Sequence, residues 1–127
     1  MPNRNVTFAE NQGTSGGAVY SQSEGGYFSF KNVAFINNTA VNAGGALLLG
    51  GGGVTSTIIF LGTNTFIGNQ AGTNGGAIEL FALYQPVSWS GLVFIENQAA
   101  IGGAIDLASS TASISISGSI FSNNIAT

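Results

Sequence analysis

The sequence contains no cysteine and no histidine. Disulfide staples and thiolate metal sites are therefore excluded, and no Cys/His or Ser/His nucleophile arrangement exists. Basic residues number two, Arg4 and Lys31, against five acidic ones, for a net charge of −3. Nucleic-acid binding needs clustered Lys and Arg against phosphate, and polybasic attachment to an anionic membrane needs the same, so both are excluded. No apolar run approaches the ~18 residues of a membrane-spanning helix, so direct membrane insertion is not expected. The opening Met1-Pro2-Asn3-Arg4-Asn5 lacks an apolar core of signal-peptide length.

Charged residues make up 6% of the chain while hydrophobic residues make up 44%. Gly, Ser, Thr and Asn take the place of the missing charge. That composition suits stacked strands with polar, uncharged outer faces and does not suit disorder. Helix is hard to place, because Gly, Asn, Ser, Thr and β-branched residues interrupt every window.

Two short motifs alternate along the chain. Phe-x-x-Asn stands at Phe8–Asn11, Phe35–Asn38, Phe66–Asn69, Phe94–Asn97 and Phe121–Asn124. Gly-Gly-Ala stands at Gly16-Gly17-Ala18, Gly44-Gly45-Ala46, Gly75-Gly76-Ala77 and Gly102-Gly103-Ala104. Successive Phe residues are 27, 31, 28 and 27 positions apart, a period that signals a repeat architecture. Alignment on the Phe adds further apolar columns: Phe28, Ile59, Val87 and Ile114 seven before it, and Phe30, Leu61, Trp89 and Ile116 five before it. After each Gly-Gly come Val19, Leu47, Ile78 and Ile105, then Ser21, Leu49, Leu80 and Leu107. Spacing by two is strand spacing.

These columns predict an all-β fold, a right-handed parallel β-helix (β-solenoid) of about four and a half coils with three short strands per coil. One strand ends at the Phe, one opens at Gly-Gly-Ala, and one carries the remaining apolar pair. Coils about 4.8 Å apart make a rod of roughly 20–25 Å over the five Phe rungs. Right-handed winding follows from the crossover rule. Residues 1–127 read as a single solenoid segment, expected to be part of a longer one. On this alignment the seven-residue spacing within the Phe-anchored strand pair is unbroken. Length variation then falls in two turns, with the longest excursion at Gly50–Thr55.

The motif residues read first as structure. Asn tolerates the left-handed backbone of a tight corner, and stacked amides hydrogen-bond along an axis. The small residue two positions on (Gly13, Ala40, Ala71, Ala99, Ala126) suits an inward corner, and Gly62, Gly91 and Gly118 suit a second one. The Phe column is core. The second Gly of each pair shares the inward face with the residue two on, so its missing Cβ is expected to make room for a bulky side chain. The Gly-Gly pairs are not phosphate loops, because no helix follows them.

The outward column Tyr20, Leu48, Glu79, Asp106 is not absorbed by the fold. Glu79 and Asp106 are expected on adjacent rungs, facing solvent as a screened pair. They are the candidate metal ligands, but two carboxylates fall short of calcium's six to eight oxygens, and no cofactor is expected. Glu10, Glu24 and Glu96 fall on other columns, so no carboxylate cluster for glycan cleavage forms, and the chain is expected not to be an enzyme. Thr55-Ser56-Thr57 and Thr63-Asn64-Thr65 are isolated, not the regular Thr ladders of an ice-binding face.

Phe-x-x-Asn alternating with Gly-Gly-Ala-(Ile/Leu/Val) resembles the repeat of the polymorphic outer membrane proteins, the chlamydial-type autotransporter adhesins. The resemblance implies that these motif residues build an autotransporter passenger β-helix outside the cell. It also implies a C-terminal barrel, absent from this chain, that anchors the passenger in the outer membrane. It further implies adhesion to a protein or glycan on a cell surface, and self-association with further copies. In a eukaryotic secretory pathway Asn5 and Asn37 would be glycosylation acceptors. A second reading, from the uncapped strand edges, is the subunit of a self-assembling extracellular filament formed by end-to-end stacking. Five Phe rungs against four Gly-Gly-Ala rungs count against that reading, and a segment of a longer solenoid is expected instead, prone to irregular association and not to ordered fibres.

Overall fold

A computed structural model describes residues 5–22, 26–50, 57–82, 84–108 and 113–127. Glu24 and the excursion over 51–56, with Thr55 and Ser56, lie outside the described residues. The chain winds as a β-solenoid, with no helix among the described residues. The first coil is β1 (Val6–Ala9), β2 (Gln12–Gly13), β3 (Val19–Ser21) and β4 (Tyr27–Lys31). The second is β5 (Val33–Ile36), β6 (Thr39–Ala40), β7 (Leu47–Gly50) and β8 (Thr57–Leu61). The third is β9 (Asn64–Ile67), β10 (Gln70–Ala71), β11 (Ile78–Phe81) and β12 (Val87–Ser90). The fourth is β13 (Leu92–Ile95), β14 (Gln98–Ala99), β15 (Ile105–Ala108) and β16 (Ile114–Ser117), and β17 (Ile120–Ser122) and β18 (Ile125–Ala126) begin a fifth.

Each coil therefore has four strands, not three. The extra one is the two-residue strand after each Asn, too short for its alternation to show in sequence. The Phe strand also runs one residue past the Phe, and the next long strand opens after Gly-Gly-Ala instead of at it.

Like strands stack in parallel. β1-β5-β9-β13-β17 form one five-stranded sheet, β2-β6-β10-β14-β18 a second, and β3-β7-β11-β15 a four-stranded third. The wall made by β4, β8, β12 and β16 is split: β4 pairs β8 and β12 pairs β16, but β8 and β12 do not pair. Registers place Phe8, Phe35 and Phe66 in one column, continued by Phe94 and Phe121. Val19, Leu47, Ile78 and Ile105 form another.

The second coil departs from the aligned columns. Phe28 pairs with Ile58, and Phe30 with Phe60, so Ile58 and Phe60 point inward. Ile59 and Leu61 do not, and Leu61 is 49% exposed. The seven-residue spacing is thus broken once, with the extra residue at the corner. There a single residue, Asn32 or Gly91, suffices in two neighbouring coils, whereas the second coil uses Gly62 and Thr63. Asn32, Gly62, Gly91 and Gly118 all take positive φ at this corner, which confirms its glycine logic.

The core runs along the axis. Phe35, Phe66 and Phe94 are fully buried beside Leu47, Leu49, Ile78, Leu80 and Leu92. Every outer strand face is uncharged or nearly so.

Candidate functional site

The Asn column forms a continuous amide ladder. Each Nδ2 donates to the Oδ1 one coil on: Asn11 to Asn38 at 2.9 Å, Asn38 to Asn69 at 3.0 Å, Asn69 to Asn97 at 3.0 Å and Asn97 to Asn124 at 2.8 Å. The same Oδ1 atoms accept the backbone N–H of the preceding Asn. Each Nδ2 from Asn38 onward also donates back to the Phe carbonyl of the preceding coil. Asn69 therefore uses both donors and both acceptor lone pairs of its side chain while fully buried. The left-handed corner belongs to the residue before: Glu10, Asn37, Gly68, Glu96 and Asn123 carry the positive φ. Asn is selected by its amide and not by its backbone.

Asn64 was not singled out by the motif pattern, yet it is buried at the position of Val33 and Leu92. Its Oδ1 accepts from Val33 N–H at 3.0 Å, and its Nδ2 donates to Leu61 O at 3.0 Å. Asn64 follows the extra residue Thr63, and its amide caps backbone that the insertion frees. Ser119 acts similarly two repeats later, accepting from Leu92 N–H at 3.0 Å.

The Phe rings stack nearly parallel. Centroids lie 5.2 Å apart for Phe8–Phe35, 4.8 Å for Phe35–Phe66, 4.9 Å for Phe66–Phe94 and 4.8 Å for Phe94–Phe121. In the Gly-Gly pairs the two glycines answer different demands. The first takes positive φ at Gly16, Gly44, Gly75 and Gly102. A Cβ on the second would strike backbone: Gly45 against the carbonyl of Gly76, and Gly76 against that of Gly103. The missing Cβ makes room for the backbone of the next coil, not for a bulky side chain.

Glu79 and Asp106 do sit in register on adjacent rungs, with Leu48 below them. They are not a solvent-facing pair. Glu79 is 4% exposed, and its Oε2 is buried with no hydrogen-bond partner. Asn74, on the turn before Gly75, reaches up to donate its Nδ2 to Asp106 Oδ2 at 2.9 Å. Burial, reinforced by a side-chain hydrogen bond with Asp106 and by its charge, raises the Glu79 pKa to about 8. Glu79 thus keeps its proton at neutral pH and can share it with Asp106. Among the described residues no group of three or more His, Cys, Asp or Glu gathers as a metal site. The arrangement is suited to holding a proton between two rungs.

The motif residues named from sequence are thus brought together as three axial columns, and the acid pair as a fourth. Asn5 and Asn37 are both exposed. No helix among the described residues is long and apolar enough to cross a membrane. No curated protein and no solved structure matches the chain. Residues 5–22 and 65–79 match a known family, each stretch spanning one Phe-x-x-Asn and one Gly-Gly-Ala. The copies at Phe35–Ala46, between these stretches, and at Phe94–Ala104, after them, repeat the same ladder and stacking contacts. The family both stretches match is the Chlamydia polymorphic membrane protein repeat.

Proposed function

We propose that this solenoid is a non-enzymatic module displayed at the cell surface, an adhesin-like passenger segment whose membrane attachment is supplied by another part of the protein. One observation carries the reading. In the inner coils the motif side chains are consumed by the fold: Asn38, Asn69 and Asn97 in the ladder, Phe35, Phe66 and Phe94 in the stack, the glycines in backbone contact. The repeat therefore specifies a scaffold, and the outer columns are free to vary and to recognise. Those columns hold exposed Tyr20, Tyr27, Val41, Leu61 and Ile101, with little charge among them. Exposed aromatic and aliphatic residues on a rigid wall suit contact with a protein or glycan surface.

Beads coated with the purified chain should adhere to epithelial cells well above albumin-coated beads, and soluble chain should compete. Adhesion no better than albumin would overturn the adhesive reading and leave a purely structural surface module.

A further inference from the structure

The split between β8 and β12 has an identifiable cause. Elsewhere in the solenoid aromatic rungs stack flat, as Phe30 does on Phe60 with centroids 5.3 Å apart. The next rung is Trp89, whose ring stands at 87° to Phe60. Its Nε1 donates to Ile58 O at 3.1 Å, taking an acceptor that a strand neighbour would otherwise use. Trp89 acts as a wedge.

The wedge leaves a definable set of backbone groups. In a parallel ladder a residue sends its N–H and C=O to the same neighbour, and alternate residues face alternate neighbours. Thr57 N–H bonds to Gly26 O, and Leu61 O accepts from Asn32 N–H, so Thr57, Ile59 and Leu61 face β4. Ile58 and Phe60 therefore face β12. Val87 N–H bonds to Ser113 O and Gly91 N–H to Ser117 O, so Ser88 and Ser90 face back towards β8. Donors and acceptors confront each other across a gap they do not close. On the outside this gap is a cleft of about 450 Å³, lined by Thr57, Ile58, Ile59, Gln85, Pro86 and Val87, with Ser88 beside them. That volume lies within the range of small-molecule pockets, roughly 300–1,000 Å³.

We propose that this cleft is a binding site for an uncharged glycan chain. The same two coils remain hydrogen-bonded through β7–β11 and β9–β13. The gap therefore cannot open to twice the ladder spacing, as an inserted peptide strand would require. Hydroxyl groups fit instead, because each both donates and accepts and can bridge an N–H on one edge to a C=O on the other. The rim adds the exposed polar side chains of Thr57, Gln85 and Ser88, and none of the described residues lining the cleft is charged. The proposal rests on the adhesive reading and names a ligand class for it.

The test uses cellohexaose, maltohexaose and fully N-acetylated chitohexaose at about 10 mM, in the range of weak single-site affinity, followed by amide NMR shifts. At least one should move the amides of Ile58, Phe60, Ser88 and Ser90 above all others. Trp89→Phe should let the ring lie flat on Phe60, close the ladder, slow hydrogen exchange at Phe60 and Ser90 by about tenfold or more, and abolish the shifts. Should Trp89→Phe fail to fold, Ser88→Leu, an exposed change at the rim, should block the shifts in a folded chain. Silence with all three sugars overturns the proposal. So do shifts that survive closure or blocking, or a response to an uncharged peptide in place of the sugars. Beads that still adhere while the cleft stays silent would refute the cleft and leave the adhesive reading standing.

Discussion

At the scale of single residues, Glu79 shows how burial changes a side chain's role. Alternation places it outward beside Asp106, where two charges would be screened by water. In the fold Glu79 is instead buried, and it is protonated at neutral pH. Its folded pKa of about 8 lies above the ordinary value of 4.5. Its stabilising contribution is therefore fully present below about pH 4.5 and is lost as pH rises through 8. Thermal melts should show falling stability between pH 5 and 9, and Glu79→Gln should flatten that fall while costing little at pH 7. An unchanged pH profile in Glu79→Gln would place the titration elsewhere. The adjacency of the pair was legible in the repeat, since Ile78-Glu79 and Ile105-Asp106 follow equivalent Gly-Gly-Ala motifs. Its burial was not, because alternation along a strand gives the face a residue takes and not what covers that face.

At the scale of elements, the Gly-Gly turn fixes how closely coils approach. Gly76 lies against the Gly103 carbonyl and the Gln98 backbone of the next coil. Rigid backbone cannot move aside as a flexible side chain could. Gly76→Ala should therefore cost at least about 1–3 kcal/mol, as overpacking does. A denaturant melt within experimental error of wild type would show that the turn can yield. The Phe strand illustrates the opposite balance, where sequence is sufficient: a large residue every 27 to 31 positions stacks in register whichever corner carries the insertion. One misplaced column, Ile59 and Leu61 for Ile58 and Phe60, marks the limit of that legibility. A run of apolar residues from Ile58 to Leu61 fits either face, and the register is settled only by pairing with β4.

For the whole molecule, contacts are between neighbouring coils, so the cost of a truncation depends on how many coils flank it. Phe66 stacks on Phe35 and Phe94, whereas Phe8 stacks on Phe35 alone and is half-buried. Phe66→Ala should lose about 3–5 kcal/mol, and Phe8→Ala clearly less. Equal losses in denaturant melts would mean that the stack does not act through nearest neighbours.

The sequence by itself determined the solenoid, the Phe and Asn columns and the absence of basic or thiol chemistry. It could do so because a stacked repeat writes each spatial neighbour at a fixed chain distance. The tertiary structure alone decided which outward residues are covered, why each second glycine is glycine, and where the wall splits. Those depend on approach between backbones and on the shape of one indole ring. Trp89 occupies an apolar column like any other in the repeat, and only its edge-on contact with Phe60 and its bond to Ile58 O distinguish a wedge from a rung.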